Sequence, residues 1–147
     1  GVAGQNGALL LGADLHKDSA TLEAAYNDSA GVTARFNLNL LARINRELGA
    51  DFELAKFRHR AIYNREAQRI EMYLISNAEQ VVTIDGERIP FRQSERILTE
   101  YSHKYDLESF EQLASEAGFA VRETWKDPKE HFGVFFLEPK AVKNNPS

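Results

Sequence analysis

A mixed fold, α+β or α/β in class, is what this chain predicts, and three observations predict it. Gly7 to Leu15 is a continuous apolar run interrupted only by Asp14. Apolar residues then recur at helical spacing between Asp18 and Leu48, and from Arg58 to Ser102 the hydrophobic period falls to two. A further helical stretch and two strand-like stretches complete the chain.

The first run has the pattern of a central parallel strand covered on both faces, which lacks the alternation of a half-exposed strand. Gly1, Gly4 and Gly7 lie before that strand, whereas a phosphate-cradling loop follows a strand and opens a helix, so they read as plain loop. Asp18 is placed to cap a helix containing Leu22, Ala25 and Tyr26. Ser29 is placed to cap a second, with Val32, Phe36, Leu40, Ile44 and Leu48 as its apolar stripe and Gly49 as its stop. Asp51 to Phe57 reads as a further short helix capped by Asp51.

Ala61-Ile62-Tyr63, a turn at Asn64 to Ala67, and alternation at Ile70, Met72 and Leu74 predict a hairpin. Val81 to Ile84, Asp85-Gly86-Glu87 and Arg88-Ile89 predict a second, since Asp-Gly favours the positive backbone angles of a tight turn. With the strand Arg96 to Ser102 they suggest one antiparallel sheet of about five strands. Asp106 is placed to cap a helix from Leu107 to Ala117, striped by Phe110, Leu113, Ala114 and Ala117 and stopped by Gly118. Phe119 to Trp125 and Phe132 to Leu137 then read as strands joined through Asp127-Pro128-Lys129-Glu130, and residues 141–147 as a fraying tail.

Composition narrows the function classes. A chain of 147 residues fits one compact domain, burying roughly 70% of the surface its unfolded form exposes. Its 22 acidic and 18 basic residues leave a net charge of -4, which gives no general electrostatic attraction to nucleic acid or anionic lipid. With no cysteine there is no disulfide framework, thiolate metal site or cysteine nucleophile, and a reducing, cytoplasmic setting is compatible. No apolar run approaches the length of a membrane span, and no signal-peptide pattern precedes Lys17. His16, His59, His103 and His131 lack metal-ligand spacing. Arg58, Arg60, Arg65 and Arg69 lie near Phe57 and Tyr63, but in an acidic chain with alternating strands they read as a solvated outer face.

Glu100 and Ser102 are the chemically informative pair. Side chains alternate along a strand, so Leu98, Glu100 and Ser102 share one face and Ile97, Thr99 and Tyr101 the other. A carboxylate beside a hydroxyl on a face that begins with leucine is costly to bury without a hydrogen-bonding partner, a role that a small N–H ligand or cation fills. On the residues alone, Glu100 reads rather as a solvent-facing carboxylate and Tyr26 as a helix residue packed on a neighbour, and Met72 reads equally as ordinary core.

The order of elements resembles the C-terminal part of a class I methyltransferase Rossmann-like sheet, with an inserted helical plus antiparallel β substrate-binding domain. The motifs go further. Leu10-Leu11-Gly12-Ala13-Asp14-Leu15-His16-Lys17-Asp18, Leu22-Glu23-Ala24-Ala25-Tyr26-Asn27-Asp28, Ala30-Gly31-Val32-Thr33-Ala34-Arg35-Phe36-Asn37 and Ile44-Asn45-Arg46-Glu47-Leu48 are similar, in order, to the histidine-specific N-alpha-methyltransferase family of ergothioneine biosynthesis. Ile70-Glu71-Met72 and Leu98-Thr99-Glu100-Tyr101-Ser102-His103-Lys104-Tyr105 extend the resemblance over nearly the whole chain. It implies strands and a helix of the methyltransferase core at 1–16 and 104–140, with a substrate-binding domain at 17–103. It implies an enzyme that moves methyl groups from S-adenosylmethionine to the α-amino nitrogen of histidine. It also implies that Tyr26 binds the substrate carboxylate, that Glu100 and Ser102 bind the imidazole, and that Met72 lines the ring pocket.

The chain departs from the family pattern in having no glycine-rich turn after a first strand, no ribose-binding acid after a second, and no segment carrying a further substrate tyrosine. These 147 residues are therefore expected to be the substrate-recognition half of the enzyme, inactive alone. A missing N-terminal half, or self-association across the apolar edge Ala8 to Leu11, is the expected partner, and Gly12 to Asp14 are expected to border the cofactor cleft. The alternatives are a non-catalytic binding or assembly domain lacking the cofactor half, and a related methyltransferase for another amino acid.

Overall fold

The computed structural model describes residue 4 and residues 7–140, so the tail expected at 141–147 lies outside the described residues. In chain order the elements are β1 (Leu9–Asp14), α1 (Ser19–Tyr26), α2 (Val32–Leu48), a single 3₁₀ turn (Leu54–Lys56), β2 (Phe57–Asn64), β3 (Arg69–Ser76), β4 (Gln80–Ile84), β5 (Glu87–Phe91), β6 (Arg96–His103), α3 (Leu107–Glu116), β7 (Phe119–Lys126) and β8 (Phe132–Pro139). They fall into two units, Gly1–Lys17 with His103–Ser147, and Asp18–Ser102.

In the first unit β8 lies between β1 and β7 and runs antiparallel to both. Among the described residues the run expected as a central strand pairs with β8 alone, so its other side is the apolar edge expected at Ala8 to Leu11, and Leu10 is 65% exposed. Only alternate residues of that run are covered, because α3 packs on one face alone. Ala13 and Leu15 join Phe110, Ala114, Phe135 and Leu137 in the core, with the Phe110 and Phe135 rings stacked at 3.8 Å. Leu113, expected on the buried stripe of α3, is exposed. Asp106 caps α3 as expected and forms a reciprocal capping box with Ser109. On the other face the Phe132 ring covers Gly12, where a Cβ would lie 2.6 Å from a ring carbon.

In the second unit Asp18 caps α1 by accepting from the Thr21 amide. Ser29 does not cap α2. Gly31 takes the cap position in the left-handed conformation, and the Asp28 carboxylate accepts from the Val32 and Thr33 amides. These bonds lower the Asp28 pKa to about 2. The buried side of α2 is also rotated from the expected stripe. Asn37 and Leu41 are buried, whereas Val32, Phe36, Leu40 and Leu48 are exposed. Gly49 ends the helix with φ +62°, as its position predicted.

Two apolar clusters hold this unit: Leu22, Ala61, Ile70 and Met72, and Leu41, Phe52, Phe57, Leu74, Val82 and Phe91. Both predicted hairpins form, but not the five-stranded sheet. β3 has β2 on one side and β6 on the other, so neither edge is open to β4, and β4 and β5 pair only with each other. The return of the chain fixes this arrangement: the Ser76 amide donates to the Glu95 carbonyl and the Ser94 amide to the Ser76 carbonyl, which leads β6 in beside β3. Asp51 caps no helix. Its backbone and carboxylate both pair with Thr83, leaving one 3₁₀ turn in the segment expected to be helical.

Candidate functional site

Tyr26 is the last residue of α1 and Ser102 lies near the end of β6, 76 residues later, yet their hydroxyl oxygens are 2.8 Å apart. Tyr26 packs its ring against the cluster of Leu22, Ala61, Ile70 and Met72. Met72 is 2% exposed and is part of that core, and its carbonyl accepts from the Thr99 hydroxyl at 3.0 Å. Glu100 is exposed, so burial does not force a partner on it. It lines a cavity of about 220 Å³ whose other walls include Phe36, Asn39, Leu40 and Arg43. Three of the four sequence-derived residues therefore meet around the Tyr26 ring, and the fourth stands two residues from Ser102 on the same strand.

A polar network that sequence reasoning missed holds Tyr26 in place. The His59 Nε2 lies 2.8 Å from the Tyr26 carbonyl, and the His59 Nδ1 lies 3.0 Å from the Asn37 amide nitrogen. That nitrogen also donates to the Tyr73 carbonyl at 3.3 Å. Asn27 pairs through its side chain with both the N–H and the carbonyl of Ala61, at 2.9 and 3.0 Å. The available signal was the recurrence of asparagine in phase with Leu41 on α2, at Asn37 and Asn45, which the more conspicuous Val32, Phe36, Leu40 stripe concealed.

The opposite face of the same sheet carries charge. Arg69 and Asn64 donate to one oxygen of Glu71 and the Tyr73 hydroxyl donates to the other. The hydrogen bonds from Tyr73 and Arg69 hold the Glu71 carboxyl below its ordinary range, and the bond to Glu71 pushes the Tyr73 hydroxyl above its own. The Arg69 guanidinium also stacks on the Tyr101 ring, 3.6 Å from its centroid. Tyr101, between Glu100 and Ser102, is thus tied to the far face of the strand.

In the first unit the Asp14 oxygens take one lysine each, Lys17 Nζ at 2.6 Å and Lys104 Nζ at 2.9 Å. Burial acts to raise the Asp14 pKa, but the hydrogen bonds and charges of the two lysines outweigh it and leave it below the usual range. Among the described residues no cluster of His, Asp or Glu could hold a metal ion, and no helix is long and apolar enough to cross a membrane.

With this geometry in view, comparison with known proteins is decisive about family. The family described as histidine-specific, S-adenosylmethionine-dependent methyltransferase matches residues 1–139. The chain belongs to that family. Its relatives include the histidine N-alpha-methyltransferase of Mycolicibacterium smegmatis, 45% identical over 130 residues, which are 86% of this chain and 40% of that protein. The protein of the same name from Mycobacterium tuberculosis is 41% identical over 136 residues, 91% of this chain and 42% of its own length. Ergothioneine biosynthesis protein 1 of Neurospora crassa is 33% identical over 139 residues, 92% of this chain and 15% of its own. The chain thus spans about two fifths of the two mycobacterial methyltransferases, at 40% and 42%.

Proposed function

We propose that this chain is the substrate-recognition part of an enzyme that transfers methyl groups from S-adenosylmethionine to the α-amino nitrogen of histidine, giving trimethylhistidine. The observation that carries the reading is the Tyr26–Ser102 hydroxyl pair at 2.8 Å, with Glu100 two residues along β6, its exposed carboxylate without a hydrogen bond or ion pair among the described residues. Each hydroxyl has one proton to give. In the proposed complex Ser102 donates to Tyr26 and the phenol donates to the substrate carboxylate. Glu100 accepts one imidazole N–H, and the Ser102 oxygen, its own proton given to Tyr26, accepts from the second ring N–H. An amino acid without that N–H leaves Glu100 unmatched, which favours histidine over apolar side chains of similar size. Met72, already part of the core under Tyr26, supplies a polarizable floor for the ring pocket.

The methyl donor brings an activated methyl group. What this chain contributes is to hold the substrate by its two ends so that the amino nitrogen has one orientation, and to keep water from it. The described residues do not by themselves fit a cradle for that donor. The Phe132 ring occupies the space over Gly12, and both oxygens of Asp14 are committed to lysines, so neither offers a close backbone approach or a free acid for a ribose. No step is therefore assigned to residues at the end of β1.

Isothermal titration of the chain with histidine tests the reading. Binding that is weakened in both Glu100→Ala and Tyr26→Phe is the expected result. Histidine binding indifferent to both substitutions would sink the site, and tighter binding of tyrosine or tryptophan would assign the chain to another amino acid.

A further inference from the structure

We propose that His59 is a positioning residue for the substrate carboxylate: backed by Asn37, it fixes the end of α1 so that the Tyr26 phenol meets Ser102 and the ligand. This role rests on the reading of Tyr26 as the carboxylate ligand. The proton assignment follows from which groups can only accept. The Tyr26 carbonyl, 2.8 Å from the His59 Nε2, requires a proton on that nitrogen. The Tyr73 carbonyl requires the amide nitrogen of Asn37, not its oxygen, to face it. The same nitrogen then donates to the His59 Nδ1 at 3.0 Å, and Nδ1 must be bare. One tautomer, Nε2–H, satisfies all three contacts.

The consequence for Tyr26 is mechanical. A carbonyl in the last turn of a helix has no intrahelical partner, and α1 is only eight residues long. His59 satisfies the carbonyl of Tyr26, and two residues along β2 the backbone of Ala61 is bonded on both sides by the Asn27 side chain. Two consecutive residues at the helix end are thus stitched to alternate positions of one strand. That strand is joined through β3 to β6, which carries Ser102. Asn37, 3% exposed, is a buried polar side chain on α2 whose amide group is committed to this bridge.

Long-range ¹H–¹⁵N correlation on the labelled chain, followed by calorimetric titration with histidine and with histamine, tests the role. Histamine keeps the imidazole and lacks the carboxylate, so it does not use Tyr26. The expected spectrum shows His59 with its proton on Nε2. His59→Leu is expected to weaken histidine about tenfold or more and to leave histamine unchanged. His59→Gln, whose amide nitrogen can still donate to the Tyr26 carbonyl, is expected to stay within about threefold of the parent. Adding His59→Leu to Tyr26→Phe should then cost little more than Tyr26→Phe alone. Equal losses for both ligands, a proton on Nδ1, or a His59→Leu chain that binds histidine normally while Tyr26→Phe does not, would overturn the role of His59. Failure of the unsubstituted chain to bind histidine would instead defeat the site as a whole, and with it this role.

Discussion

The two units deploy their carboxylates in opposite ways. In the first, Asp14 is saturated: each oxygen has its own lysine, and the Lys104 side chain is fully buried. In the second, Glu100 is exposed and carries no protein partner among the described residues, beside two hydroxyls already in mutual contact. A carboxylate whose charge is matched inside the protein holds structure, and removing it strands a buried cation. One left unmatched next to aligned hydroxyls costs the fold little and remains available to a ligand. On the proposed reading, the same residue class serves stability in one unit and recognition in the other.

The largest expected effect tests the stability side of that contrast. Asp14→Asn leaves Lys104 buried without its carboxylate and should destabilise the first unit by about 3 kcal/mol. The chain has one tryptophan, Trp125 on β7 of that unit, so urea unfolding followed by its fluorescence reads the loss directly. Because the Asp14 pKa is lowered on folding, its contribution is present above the ordinary carboxylate range and disappears as pH falls through the lowered value. The Trp125 signal should report this acid loss, and Asp14→Asn should reduce the dependence, leaving the share of Asp106 and Asp127, whose pKa values are also lowered. A midpoint unmoved by the substitution would contradict the structural assignment.

Glu100→Ala should do the reverse. Histidine affinity is expected to fall by about tenfold to a hundredfold, as for loss of a hydrogen bond to a charged group. Stability should stay within about 0.5 kcal/mol, as for an exposed residue without partners. A large drop in melting temperature with unchanged binding would place Glu100 with Asp14 as a structural acid.

A smaller effect is expected at the start of α2. Asp28 accepts from two backbone amides, and its pKa is lowered to about 2. The stabilisation is present above the ordinary aspartate range and fades as pH falls towards about 2. Protection of the Val32 and Thr33 amides from exchange, relative to the intrinsic rate at each pH, should fall over that interval, and Asp28→Ala should remove it already at neutral pH.

The smallest effect separates the sequence-based helix stripe from the observed one. Were Phe36 a core residue of α2, truncation would cost about 3–5 kcal/mol. It is 67% exposed, and Phe36→Ser is expected to change stability by no more than about 0.5 kcal/mol. A core-sized loss on denaturant unfolding would restore the original stripe.

Much of the chain was legible because its determinants are local. Asp18 and Asp106 cap helices, Gly49 ends one with a positive φ, and Asp85-Gly86 turns the second hairpin. Each signal is complete within a few residues. The misreadings share a different character: Val32, Phe36 and Leu40 formed a stripe as apolar as the one that is buried, and β4 had as good a strand pattern as β6. Which of two such competitors is used depends on partners far away in the sequence. Similarly, Tyr26 and Ser102 were singled out by the family motifs, whereas His59 and Asn37 have no local pattern that marks them.

By itself, then, the sequence determined the family, most of the helix and turn boundaries, and the residues offered for recognition, because caps, tight turns and motif order are short-range properties. Tertiary structure alone decided that β6 rather than β4 lies beside β3, and that an asparagine on α2 orients a histidine on β2 to hold Tyr26. The physical reason is that buried faces and hydrogen-bond partners are allotted by competition between distant segments, and only the folded chain brings those competitors together.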